Sequence, residues 1–159
     1  MKKCTGVLVA LIVFAFSSHA HAGWVLGVDF GATVPLGDVP SRDPGYGLNL
    51  RVGHDWNLAL LKVGAEVTGG YHTLGGANGA NLTRAMAGVR LALGVAVEPF
   101  FYAHFGYGRV NGGPDGASFD AGGGISYSIS KIRVGLQAGY NTCQSVRWVD
   151  AGARVELSF

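Results

Sequence analysis

An all-β fold is what this sequence predicts: an eight-stranded antiparallel up-and-down transmembrane β-barrel, preceded by a cleavable signal peptide. Three observations carry the prediction. Eight segments alternate apolar and polar residues with a period of two, the spacing at which a strand shows successive side chains to opposite faces. The chain is 48% hydrophobic, yet beyond its first residues no continuous apolar stretch is long enough for a spanning helix, and its 27 glycines disfavour long helices. The connections alternate between longer Gly/Asp/Asn-rich loops and short turns. Strands that face lipid on one side, with every backbone group paired in a closed barrel, reconcile the apolar content with the missing helix.

Residues 1–22 read as a signal peptide. Lys2 and Lys3 precede an apolar run from Gly6 to Phe16, and Ala20-His21-Ala22 forms an A-x-A site, so cleavage is expected before Gly23. The rival, an uncleaved membrane helix, needs ~20 apolar residues and the run is shorter. Cys4 precedes the apolar run, which argues against a lipoprotein. Residues 23–159 are then one domain by length. The loss of Lys2 and Lys3 brings the 12 Lys+Arg into balance with the 10 Asp+Glu, so nothing basic remains to suggest a nucleic-acid partner. Cys143 is left as the single cysteine and no intrachain disulfide can form.

The strands follow in order. The first, about Trp24 to Val34, places Trp24, Leu26, Val28, Phe30, Ala32 and Val34 on one face and Asp29 among glycines on the other. Pro35 to Gly45, with Pro35, Pro40 and Pro44, reads as a loop. The second sets Tyr46, Leu48, Leu50 and Val52 against Asn49 and Arg51, and His54 to Asn57 reads as a short connection. The third sets Leu61, Val63, Ala65, Val67 and Tyr71 against Lys62, Glu66, Thr68 and His72, and a Gly/Asn loop spans Thr73 to Leu82. The fourth sets Ala85, Ala87, Val89, Leu91 and Leu93 against Arg84, Met86 and Arg90, before a short connection from Gly94 to Glu98. The fifth opposes Phe101, Ala103, Phe105 and Tyr107 to Tyr102 and His104, and its parity is the least defined because both faces carry aromatics. After a breaker-rich loop from Arg109 to Ala117, the sixth opposes Phe119, Ala121, Ile125, Tyr127 and Ile129 to Asp120, Ser126 and Ser128. A tight turn at Ser130-Lys131 leads to the seventh, where Ile132, Val134, Leu136, Ala138 and Tyr140 oppose Arg133, Gln137 and Asn141. Thr142 to Arg147 reads as the last loop. The eighth ends the chain with Val149, Ala151, Ala153, Val155, Leu157 and Phe159 on one face and Asp150, Arg154 and Glu156 on the other. Each strand is near the ~9–11 residues that cross a tilted barrel wall.

Two consequences follow from this parity. Tyr46, Tyr71, Tyr107, Phe119 and Tyr140 face outward at the loop ends of their strands, an aromatic girdle at one membrane interface, and Trp24, Phe101, Tyr127 and Phe159 form the opposite belt. The competing explanation is the ordinary strand propensity of aromatics. The lumen receives Arg51, Lys62, Arg84, Arg90, Arg133 and Arg154 with Asp29, Glu66, Asp120, Asp150 and Glu156. An eight-stranded barrel is just wide enough for side chains to fill it, so these charges are expected to pair and to specify strand register; a conducting pore is the alternative.

The alternation, the aromatic bands and the apolar positions leading to Phe159 resemble the small eight-stranded bacterial outer-membrane barrels of the OmpA and OmpX type, the porin-like barrels of the Gram-negative envelope. The resemblance spans residues 23–159. It implies that Phe159 serves as a signal for the outer-membrane barrel assembly machinery, and that outer-membrane lipid and lipopolysaccharide surround the wall. Both chain ends would be periplasmic and the longer loops would face outside the cell. Members act as envelope-stabilising proteins, adhesins or surface-protection factors through their loops, so a loop-bound extracellular ligand is open. No peptidoglycan-binding domain is expected after the last strand, and the short loops argue against a large adhesive surface.

Catalytic chemistry is not expected. Barrel lipid A deacylases use a His and a Ser two apart on a late strand, whereas this chain reads Gln137-Ala138-Gly139-Tyr140-Asn141-Thr142. His54, His72 and His104 are far apart in sequence, with His72 beside Glu66 the one base–acid pairing to consider. No His/Cys/carboxylate cluster suggests a metal and no glycine pattern suggests a phosphate-binding turn, so no cofactor is expected. Asn81-Leu82-Thr83 matches a glycosylation sequon by chance. Cys143 is expected in an exposed loop, free or paired with another molecule. The functional expectation is a structural or surface-interaction barrel, with a narrow channel or a lipid A-modifying enzyme as the alternatives.

Overall fold

A computed structural model describes residues 22–37, 43–75, 80–113 and 115–159. The expected signal peptide, apart from its last residue, lies outside the described residues. Eight strands, β1 (Ala22–Leu36), β2 (Gly45–Leu58), β3 (Leu61–Leu74), β4 (Ala80–Leu93), β5 (Val97–Val110), β6 (Asp115–Ile129), β7 (Ile132–Cys143) and β8 (Val146–Ser158), pair antiparallel in sequence order. β8 returns to β1 and closes the barrel, so no strand edge is left to template aggregation.

The register defines the shape. The paired row that starts at Gly23 runs through Asp55, Gly64, Arg90, Tyr102, Gly122, Gly139 and Asp150 and returns to β1 at Thr33, ten residues along the same strand. With ~3.3 Å between residues and ~4.8 Å between strands, that stagger inclines the strands by about 40° to the barrel axis. Each residue then advances ~2.5 Å along the axis. Tyr46 and Trp56, both on the outward parity of β2, are thus ~25 Å apart in depth, matching the ~25 Å apolar band of outer-membrane barrels.

The strands are longer than expected, from 12 residues in β7 to 15 in β1 and β6. Residues read as connections are paired strand residues: His54 to Asn57 belong to β2, Val97 and Glu98 to β5, and Thr142, Cys143, Val146 and Arg147 to β7 and β8. Thr73 and Leu74 likewise extend β3, Ala80 to Leu82 extend β4, and Arg109 and Val110 extend β5. Glycine and asparagine weaken strand propensity, but a residue flanked by two paired neighbours gains both ladder hydrogen bonds and stays extended. Two of the reversals shrink to Ala59-Leu60 and Gln144-Ser145, and the third two-residue turn, Ser130-Lys131, falls where the sequence places it; Ala59, Ser130 and Gln144 are each at positive φ.

Parity sorts the side chains to two environments, and the ambiguity in β5 resolves with Glu98, Phe100, Tyr102 and His104 inward. Outward lie Leu50, Val67, Phe101, Phe105 and Leu136, all more than half exposed. Inward lie Asp29, Arg51, Arg90, Arg154 and Glu156, each with 2% exposure or less. This inverts a soluble protein, which covers its apolar residues and solvates its charges.

Candidate functional site

The lumen is the one place where chemistry-bearing side chains converge among the described residues. Arg51, Lys62, Arg84, Arg90, Arg133 and Arg154 all face it, as do Asp29, Glu66, Asp120, Asp150 and Glu156. Asp55 and Glu98, read from sequence as connection residues, join them because β2 and β5 extend to include them. The expected lumen charge of six bases against five acids is corrected to six against seven. The missed signal was parity alone: Asp55 continues the odd-numbered series of Asn49 and Arg51, and Glu98 the even-numbered series of Tyr102 and His104.

His104 supplies the balance. Its Nδ1 lies 2.6 Å from Asp120 and its Nε2 2.7 Å from Glu66, and a ring donates to both carboxylates only with a proton on each nitrogen. The pairing weighed for His72 and Glu66 is not formed: His72 Nε2 lies 3.1 Å from Oδ1 of Asn49, while Glu66 is held by His104 and Arg51.

The charges fall into three tiers. Toward the β7–β8 turn, Arg84 pairs with Asp120 at 3.3 Å and donates to Asn141 at 2.7 Å. In the middle, Asp29 accepts from Arg51 and, at 3.0 Å, from Arg154, while Arg51 also reaches Glu66 at 3.1 Å. Toward the β2–β3 turn, Glu98 accepts from Lys62, from Arg90 at 2.5 Å and from Arg133 at 3.2 Å, and Arg133 also reaches Asp55 at 2.8 Å and Glu156 at 3.1 Å. Attraction of this kind offsets the desolvation of buried ions only when most lone pairs and protons find partners. Here Asp29, Glu66, Glu98 and Glu156 each meet cations from other strands, while Asp150 meets the Asn141 amide. The Arg154 and Arg90 guanidinium groups also lie over the Phe100 ring, at 4.4 and 5.2 Å from its centroid. Glycine makes room for the bulk: a Cβ at Gly139 would stand 2.4 Å from the Tyr102 hydroxyl, and one at Gly122 2.5 Å from it. Between the first two of these tiers, two small spaces of about 10 Å³, both lined by Asp29, Asn49, Gln137 and Asp150, interrupt the packing.

The two ends of the lumen differ. Beyond Arg84, the inward-facing Leu74, Leu82, Val110, Cys143 and Trp148 pack into an apolar plug, and Trp148 covers the Arg84 guanidinium at 5.3 Å. The opposite end opens into a vestibule of about 450 Å³ lined by Asp55, Asn57, Lys62, Arg133 and the serines of the rim. Cys143 is therefore corrected from an exposed loop to the interior of the plug, where it is 0% exposed beside Gly108 and Ser118. We expect folded barrel to resist a maleimide that unfolded chain takes up readily, and Trp148→Ala to restore labelling in the folded state; mass spectrometry reads both.

On the outside, Tyr46, Tyr71, Tyr107, Phe119 and Tyr140 are all at least 38% exposed. At the other end, Trp24, Phe101, Tyr127 and Phe159 are exposed, and His54 sits between Trp24 and Trp56, at 5.2 and 4.7 Å.

No family model matches the sequence, and no curated protein matches it. Solved structures do. Neisserial surface protein A is 16% identical, covers 89% of this chain and 100% of its own, and superposes with a TM-score of 0.55. Ail, the attachment invasion locus protein of Yersinia pestis, is 11% identical over 87% of this chain and 97% of its own, with a TM-score of 0.59. The outer membrane enzyme PagL is 15% identical over 84% of this chain and 98% of its own, with a TM-score of 0.56. The chain thus has the fold of the small eight-stranded outer-membrane β-barrels.

Proposed function

We propose that the chain is an integral outer-membrane barrel of the Gram-negative envelope with a structural or surface-interaction role. The observation that carries this reading is the pairing of an apolar outer wall with a lumen filled by matched charges and stopped at one end by an apolar plug. A continuous aqueous path would have to break both the salt-bridge tiers and the packing of Leu82 and Trp148, which favours a non-conducting barrel over a narrow channel. The enzyme reading has less support: His72 and His104 are engaged inside the lumen and His54 between two tryptophans, so none stands beside a serine nucleophile as a free base.

In this reading the Tyr46, Tyr71, Tyr107, Phe119 and Tyr140 girdle meets the lipopolysaccharide leaflet, the Trp24 and Phe159 end meets phospholipid, and Phe159 is the residue read by the assembly machinery. The connections at the plugged end would then be extracellular and would carry any partner contact. The test combines two measurements on protein folded in phospholipid. Gel mobility should change on boiling, and planar-bilayer recordings should show no discrete conductance. An unchanged mobility would remove the closed barrel, and reproducible conductance steps would replace the structural reading with the channel.

A further inference from the structure

The rim of the barrel opposite the plug is chemically lopsided. Two of its reversals are built from apolar residues alone, Ala59-Leu60 between β2 and β3 and Gly94-Val95-Ala96 between β4 and β5. A hydrogen bond from the Gly94 N–H to the Leu60 carbonyl, 2.7 Å, joins them. Around them Leu61, Leu93 and Val97 keep the outward parity, so one apolar surface runs without a break from the lipid-facing wall onto the turns. Leu60 is 70% exposed, and Leu61, Leu93, Val95 and Val97 are all 40% or more. The third reversal, Ser130-Lys131, is polar, and its Lys131 carbonyl accepts from the Ser158 N–H at 2.8 Å, so this side of the rim carries two serines and a lysine.

Depth gives the contrast a meaning. Leu58 lies two residues past Trp56, which places it ~5 Å further along the axis than the aromatic level, and Leu60 lies beyond that. Turns of a barrel that ended in water would expose these side chains at a free-energy cost that grows with their apolar area. The headgroup and acyl boundary, where apolar surface sinks ~5–10 Å, removes that cost.

We propose that the joined turns Ala59-Leu60 and Gly94-Ala96 are a membrane anchor, inserted into the phospholipid boundary at this rim, so that the barrel leans with its β2–β5 side deeper than the Ser130-Lys131 side. The inference rests on the membrane reading above. The occupant is lipid and not a periplasmic protein because the patch is continuous with the lipid-facing wall and bears no charge, while the charged turn lies across the mouth.

Nitroxide labels at Leu60→Cys, Val95→Cys, Lys131→Cys and, as a mid-wall reference, Leu50→Cys test it in phosphatidylethanolamine–phosphatidylglycerol vesicles, with Cys143 shielded in the plug. Collision with oxygen relative to a water-soluble nickel chelate should be several-fold higher at Leu60 and Val95 than at Lys131. Equal aqueous access at Leu60, Val95 and Lys131, with Leu50 still shielded, would overturn the anchor and leave the patch as a protein-docking face. Aqueous access at Leu50 as well would instead overturn the membrane reading itself.

Discussion

Replacing Leu136 by arginine is expected to lower the stability of the folded barrel by ~2–4 kcal/mol, the cost of a cationic side chain placed toward lipid near mid-bilayer. Leu136 is 63% exposed on the outer wall, and its cross-strand partners there are Ile125 and Ala153, which offer no hydrogen-bond acceptor. The same substitution at Gln137, one residue along, should be much milder, because that side chain turns to the lumen beside Asp29 and Asp150. Reversible urea titration of barrel folded in phospholipid vesicles measures both. Equal losses at 136 and 137 would mean that the two faces of β7 do not meet different solvents.

Converting Glu98 to glutamine should cost about 3–5 kcal/mol, the penalty for leaving a buried ionic partner uncompensated. Glu98 is wholly buried and accepts from Lys62, Arg90 and Arg133, so the neutral amide keeps its volume while three cations lose their common counter-charge. The effect should be read beside Asp115→Asn, which removes the partner of Arg109 at the exposed end of β5. That pair is 3.8 Å apart with side chains 76% and 38% exposed, and its loss should shift the same titration by no more than ~1 kcal/mol. A small change at Glu98 would show that the tier toward the β2–β3 turn is solvated through the vestibule instead of sealed.

How much of this was legible beforehand depends on which residue is asked about. Period-two alternation placed Leu136 and Val155 outward and Arg51, Arg90, Arg133 and Arg154 inward without reference to any partner, because a strand leaves a side chain only two directions. It failed at the strand ends. Residues of low strand propensity in His54 to Asn57 and Gly94 to Glu98 make Asp55 and Glu98 look like connection residues in the sequence. There the ladder to β3 and β6 prevailed over the local preference. Cys143 looks like a loop residue for the same reason, whereas in the fold Gln144 and Ser145 alone suffice to reverse the chain.

Strand number, the sorting of apolar from charged faces and the aromatic levels were therefore carried by the sequence itself, since each depends on the alternation of neighbours along one chain. Which acid meets which base, the clamping of His104 by Glu66 and Asp120, and the apolar plug of Leu74, Leu82, Val110, Cys143 and Trp148 were decided by the tertiary structure alone. Those contacts join strands across the lumen, and only the ten-residue stagger acquired on closing the barrel brings such distant residues to one height.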